Sequence, residues 1–187
     1  SNDHIGVNHN ETLVMSSNNV SFEAWVKVAG FNNYQGILTK GYGGSGSWGM
    51  HIRNDYSLWF DVAGTQCNRN NQVLQTGTWQ YTAGVYNGSI AKVMLQGLQV
   101  GTDCAIVRTI NSTDQLRIGR MPTYGTLNGL IDEVRISNTA RSASWIAASY
   151  KSGIDAFVNY TTEESKYTDD AWLISNVFDA GVYADWG

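Results

Sequence analysis

Whatever chemistry this chain performs has to come from its carboxylates, its three histidines and a few aromatic side chains set among polar ones. Asp132 is the most conspicuous. In Asn128-Gly129-Leu130-Ile131-Asp132-Glu133-Val134-Arg135-Ile136, strand periodicity puts Leu130, Val134 and Ile136 on one face with Asp132. Ile131, Glu133 and Arg135 take the other face. A carboxylate in register with an apolar row must sit at the core's rim, answered by a cation, a basic side chain or several N–H donors.

Hydrolysis of a glycoside needs two carboxylates about 5–9 Å apart on one cleft face, which on a strand means acids two or four residues apart. The glutamates are Glu11, Glu23, Glu133, Glu163 and Glu164, and none is so placed. The expectation is that the chain is not an enzyme. His4, His9 and His51 are too dispersed for a metal triad, and each reads as a solvated or satisfied histidine.

Sugar recognition is the stronger idea. Trp59 and Asp61 alternate with Leu58, Phe60 and Val62, and His51 and Arg53 alternate with Met50 and Ile52. Those outward groups, with Tyr34, Tyr42 and Tyr56 in adjacent loops, can stack on a pyranose and hydrogen-bond its hydroxyls. Cover by a loop or a neighbouring domain is the competing explanation for an outward tryptophan.

Composition bounds the scaffold that must hold these groups. With 187 residues, 42% hydrophobic and 12% aromatic, one substantial core accounts for the chain. Seven Trp, ten Tyr and five Phe can remove enough surface from water that a metal need not be the main source of stability, so an ion would be a local clamp. A net charge of −4 with scattered Lys and Arg leaves no basic stripe for nucleic acid. No apolar run is long enough to insert into a membrane.

Cys67 and Cys104 each follow a strand candidate; paired, they would close a long loop, and two free thiols are the alternative. Sequons fall at Asn10, Asn19, Asn87, Asn111 and Asn159. Together with few Lys and many Ser, Thr and Asn, they point to an extracellular, glycosylated protein.

Short alternating segments carry the strands: Val20 to Val28, predicted to be a central strand, then Gly36 to Lys40, Ser47 to Arg53, Ser57 to Ala63, Trp79 to Tyr86, Ile90 to Gln96 and Gln115 to Gly119. Gly-rich and Asn-rich turns separate them, the pattern of an all-β sandwich or barrel. One helix is predicted over Ser142 to Gly153, and one short helix cannot form a layer, so it is expected to plug an end of the sandwich. From Ile154 the composition turns polar and acidic, then Trp172 to Asp179 reads as a further strand. The division is therefore 1–153 as the folded domain and 154–187 as a linker and strand-forming tail, docking on or leading to a neighbouring module; a terminal strand folding back on its own domain is the alternative.

The order and spacing of several motifs resemble the LamG-like members of the concanavalin A-like lectin/glucanase superfamily. They are Asn2-Asp3-His4-Ile5, Val20-Ser21-Phe22-Glu23-Ala24-Trp25-Val26-Lys27, Gly36-Ile37-Leu38-Thr39-Lys40-Gly41, Gly77-Thr78-Trp79-Gln80-Tyr81 and Leu127 to Ser142. The resemblance implies an all-β, two-sheet antiparallel jelly-roll sandwich; separately, the tail, with Ser175-Asn176-Val177-Phe178-Asp179-Ala180-Gly181 and then Asp185-Trp186-Gly187, is similar to junctions in large multidomain surface proteins of archaea and bacteria. The LamG-like resemblance also implies a structural calcium tying the first strand to the last through Asp132. Asp3 or Asn2 and loop carbonyls could complete the six to eight oxygens calcium takes; a salt bridge or turn capping are the alternatives. The segment usually reading Tyr-x-Asp-Gly is here Met94-Leu95-Gln96-Gly97, and the glucanase pattern Glu-x-Asp-x-x-Glu is missing.

The resulting expectation is a non-catalytic recognition or adhesion module that binds a glycan or a surface partner. The main alternative is a structural subunit of a surface filament or layer, joined to copies of itself through 172–179. A glycoside hydrolase is the weakest of the three.

Overall fold

Alternation of apolar and polar residues resolves into two facing sheets in a computed structural model, which describes residues 3–15, 17–30, 33–67 and 74–156. The strands are β1 (Ile5–Val7), β2 (Asn19–Val28), β3 (Gln35–Lys40), β4 (Trp48–Ile52), β5 (Leu58–Val62), β6 (Thr65–Cys67), β7 (Trp79–Asn87), β8 (Ile90–Leu95), β9 (Leu98–Ala105), β10 (Leu116–Ile118) and β11 (Gly129–Ser137). A 3-10 turn (Glu11–Leu13) follows β1, and helix α1 (Ala143–Gly153) follows β11. The six-stranded sheet has the order β1-β10-β3-β4-β5-β6 and the five-stranded sheet β11-β2-β7-β8-β9. Neighbouring strands pair antiparallel throughout.

The core lies between the layers. Val20, Phe22, Ala24, Val26 and Val28 of β2 meet Leu38, Trp48, Met50, Ile52, Leu58, Phe60 and Val62 of the opposite sheet, all essentially excluded from water. Phe22 bridges the layers, stacked on Trp48 at 5.9 Å and edge-on to Phe60 at 5.2 Å between ring centroids. β2 is central as predicted, flanked by β11 and β7.

The helix corrects one expectation. Instead of plugging an end, α1 lies on the outer face of the five-stranded sheet, where Ile146 packs with Tyr81, Ala83, Val85 and Met94. Trp25 and Tyr150 close this second cluster, each with a ring about 6 Å or less from Tyr81. The reason is visible in β7, whose outward row carries Tyr81, Ala83 and Val85, an apolar surface that needs a cover. Ser142 caps the helix by accepting the Trp145 N–H at 3.2 Å.

β11 corrects another. Its pairing with β2 slips between Asp132 and Arg135, and Glu133 adopts a left-handed φ of 51°. This bulge reverses the parity of the strand. Ile131, Val134 and Ile136 pack against the core, while Leu130 is 59% exposed and Asp132 is exposed beside it. Asp132 therefore leaves the apolar row altogether, and its Oδ1 accepts the Glu133 N–H at 2.8 Å.

Cys67 and Cys104 form a disulfide with Cα atoms 5.9 Å apart. β6 and β9 are the outermost strands of their sheets, so the bond staples the two layers along one rim. The segment between Asn8 and Asn19 contributes the 3-10 turn and buries Met15. The described residues make one compact unit, and residues 157–187 lie outside them. The expected strand at 172–179, the Asn159 sequon and Asn2 all fall outside them too. The remaining sequon asparagines, Asn10, Asn19, Asn87 and Asn111, are exposed or half-buried.

Candidate functional site

Two neighbouring regions gather the polar and aromatic groups, one on the outer face of the six-stranded sheet and one at its rim. On the face, β4 and β5 pair His51 with Trp59 and Gly49 with Asp61. Strand alternation thereby sends His51, Trp59 and Asp61 away from the core, as expected from sequence. Loops then come over them. The Tyr34 and Tyr42 rings lie 6.2 and 5.7 Å from the His51 ring, and Tyr124 contacts both tyrosines at 4.9 and 5.6 Å.

The tyrosines are fastened to different degrees. Arg53 donates to the Tyr34 hydroxyl at 2.7 Å, and its guanidinium lies 4.5 Å over the Trp59 ring. Gln66 donates to the Tyr42 hydroxyl at 3.0 Å. Trp59 is itself fixed by donation to the Ser57 hydroxyl, which donates in turn to Asp55. The Tyr124 side chain has ring contacts and no hydrogen bond among the described residues, its backbone N–H donating to the Met121 carbonyl at 3.4 Å, and the residue is 45% exposed.

His51 is fully buried, and neither ring nitrogen has a hydrogen-bond partner. This corrects the expectation of a satisfied histidine. Burial, and then the Arg53 charge, push its pKa down to about 4, so the ring is neutral. Asp61 is 3% exposed; its Oδ1 accepts the Gly64 N–H at 3.1 Å and its Oδ2 has no partner. Burial pushes the Asp61 carboxyl up to about 6 against the pull of Gly64 and Ser47. The Ser47 hydroxyl spends its proton on the Gly44 carbonyl at 2.8 Å. Tyr56 stands apart, 42% exposed in the β4–β5 turn with its N–H on the Arg53 carbonyl.

Tyr124 also borders the second region, a cleft of about 470 Å³ lined by Asp3, Asn33, Gln35, Arg120, Thr126 and Asn128 among others. Buried Gln35 holds its floor, accepting the Asn128 N–H at 2.7 Å and donating to the Gly30 carbonyl at 2.9 Å. Gly125 sets the ring of Tyr124 beside Tyr34: its N–H donates to the Tyr34 carbonyl at 3.0 Å, an approach that a Cβ would obstruct at 2.8 Å.

Residues 1–147 match the sequence model of the concanavalin A-like lectin/glucanases superfamily. The chain belongs to that superfamily. No curated protein matches it in sequence.

Solved structures share the fold of this superfamily member. A putative carbohydrate binding protein from Bacteroides ovatus superposes with a TM-score of 0.65 at 20% identity, covering 79% of this chain and 44% of the other. Domain 4 of AbnA, an extracellular GH43 arabinanase from Geobacillus stearothermophilus solved with arabinotriose, gives 0.59 at 22% identity over 77% and 70%. Trypanosoma rangeli sialidase gives 0.60 at 13% identity over 78% and 24%. The chain thus spans about a quarter of the sialidase and under half of the Bacteroides protein. At these identities the likeness is one of fold.

In this concanavalin A-like domain Asp3 and Asp132 line one cleft of about 440 Å³ between β1 and β11, with Gly119, Ile131 and Glu133. Among the described residues no three His, Cys, Asp or Glu side chains gather as a metal-binding group. An ion there would rest on these two carboxylates and be completed by main-chain oxygens.

Of the described glutamates, Glu23 is buried under α1 and takes the Tyr81 hydroxyl proton in a hydrogen bond, Glu133 pairs with Arg135 at 2.7 Å, and Glu11 lies 3.4 Å from His9. Sequence reasoning found Tyr34, Tyr42, His51, Arg53, Trp59 and Asp61, which the fold assembles. It missed Tyr124, Arg120, Asn33 and Asn128. The signal was an aromatic residue inside the turn-rich run Met121-Pro122-Thr123-Tyr124-Gly125-Thr126.

Proposed function

We propose that this domain is a non-catalytic carbohydrate-recognition module working outside the cell, with the rim cleft beside Tyr124 as its binding surface. The observation that carries the reading is a half-exposed tyrosine ring standing over a polar cleft of about 470 Å³. A pyranose has one apolar face that stacks on such a ring and a girdle of hydroxyls that needs donors and acceptors together. Arg120 supplies donors, Asp3 acceptors, and the Asn33 and Asn128 amides both. The volume falls in the usual range for small-ligand sites. Fold relatives described as carbohydrate binding, or solved with arabinotriose, support the same reading. The disulfide supports an oxidising compartment.

A glycan array followed by calorimetric titration tests this. Saturable binding by the unmodified protein, weakened about tenfold by Tyr124→Ala, is the expected result, equivalent to about 1.4 kcal/mol. No binding to any glycan would overturn the reading.

A calcium ion between Asp3 and Asp132 would tie β1 to β11 as an accessory clamp. Calcium should then raise the melting temperature, EDTA should reverse the rise, and Asp132→Ala should abolish it.

A second reading has its own observation. β1 and β11 are edge strands on the same rim, with Ile5 60% and Leu130 59% exposed. Uncovered edges of this kind accept a further strand, which suits assembly of copies. Light scattering that shows concentration-dependent oligomers, dispersed by Leu130→Lys, would favour it.

A further inference from the structure

The closed tyrosine cluster leaves three polar atoms without partners on one sheet face: Nδ1 and Nε2 of His51 and Oδ2 of Asp61. Each orphaned group is costly when dry, since it has lost its water and gained no partner. A neutral imidazole presents one donor and one acceptor, and the Asp61 oxygen is a further acceptor. His51 and Asp61 are diagonal neighbours across β4 and β5, which sets their backbones about 7–8 Å apart on the same face. Adjacent hydroxyls of a polyol could bridge such a pair, one meeting the imidazole and the next the carboxyl.

We infer that His51 and Asp61 are the floor of an inner subsite for a neutral polyhydroxylated group, gated by Tyr124. The gate is identified by how the three tyrosines are held. Tyr34 and Tyr42 flank His51 and are tied by their hydroxyls to Arg53 and Gln66. Tyr124 spans the gap between those two rings, is anchored through its backbone N–H on the Met121 carbonyl at 3.4 Å with no side-chain hydrogen bond among the described residues, and faces the open cleft on its other side. A sugar stacked on Tyr124 therefore rests on the lid tyrosine whose hydroxyl is not tied among the described residues. Rotation of that ring opens a path between Tyr34 and Tyr42 to the orphaned atoms. The neutrality of His51 disfavours an anionic guest: among the described residues Arg53 is the cation in contact with the cluster, and its guanidinium is committed to Tyr34 and Trp59.

The inference rests on the rim cleft being a sugar site, and the experiment separates the two. The full chain, labelled with 15N-histidine and 15N at the backbone, is titrated with glucose, galactose and arabinose in turn. For the sugar that shifts the Tyr124 and Asn128 amides, both ring-nitrogen signals of His51 should move along the same binding curve. Asp61→Asn, which keeps the side-chain size, should weaken that sugar about tenfold, with a melting curve confirming the fold. Amide shifts at the cleft with the His51 signals unmoved would keep the rim site and overturn the inner one, leaving buried water as the partner of those atoms. No shift at either place with any of the three sugars would overturn both.

Discussion

At the scale of single residues, His51 and Asp61 make opposite demands on pH. Burial lowers the His51 pKa from 6.5 to about 4, so between those values the unfolded state holds the extra proton. Its contribution to stability is complete above pH 6.5 and is lost as pH falls toward 4. Burial raises the Asp61 pKa from 3.8 to about 6, so there the folded state holds the extra proton. That contribution is present below pH 3.8 and is lost as pH rises through 6. Across pH 4 to 6 the two offset each other. His51→Gln should thus make stability fall more steeply with rising pH than in the parent, and Asp61→Asn should make it rise more steeply. Each difference should reach about 3 kcal/mol at most, read from urea midpoints at several pH values. Both residues were visible in the sequence as outward groups, because the strand period survives through β4 and β5. Their burial was not, since it depends on Tyr34, Tyr42 and Tyr124, which arrive from three separate loops.

At the scale of elements, the lesson of β11 is that a period of two holds only until a bulge. Leu130 and Ile131 exchange their expected roles because Glu133 takes a left-handed φ, and nothing in Asp132-Glu133-Val134 announces it. Helix α1 was legible from its Ser142 cap and Gly153 stop, but its seat on the outer sheet face depended on seeing that Tyr81, Ala83 and Val85 form an apolar row needing cover. The turn from β8 to β9 brings these elements together. Gln96 and Gly97 both have positive φ, Gln96 accepts the Tyr81 N–H at 2.8 Å through its side chain, and a Cβ on Gly97 would lie 3.0 Å from Tyr150. Gly77 has nearly the same φ with open space around it. Gly77→Ala should cost about 1 kcal/mol from backbone conformation. Gly97→Ala should cost more, by the clash with α1, and the extra loss should shrink in Tyr150→Ala when thermal unfolding of the single and double variants is compared.

At the scale of the whole molecule, the all-β class was accessible because each strand is short, alternating and bounded by turn residues; two sheets followed from the resemblance, and the strand order from the structure alone. The pairing of Cys67 with Cys104 needed the topology, which alone shows that β6 and β9 share a rim. The bond closes a sequence separation of 37 residues, worth about 4 kcal/mol on the chain-entropy view. Cys67→Ala with Cys104→Ala should lower unfolding stability by up to that amount without changing the β-sheet circular dichroism. The position of this staple matters as much as its strength. It fastens the rim opposite β1 and β11, so the two layers behave like a book bound along its spine, able to breathe only at the fore-edge. The fore-edge is where Asp3, Leu127 and Asn128 meet the cleft. Hydrogen exchange should accordingly be fastest in β1 and β11 and slowest beside the binding, with both rims loosening alike once the disulfide is reduced.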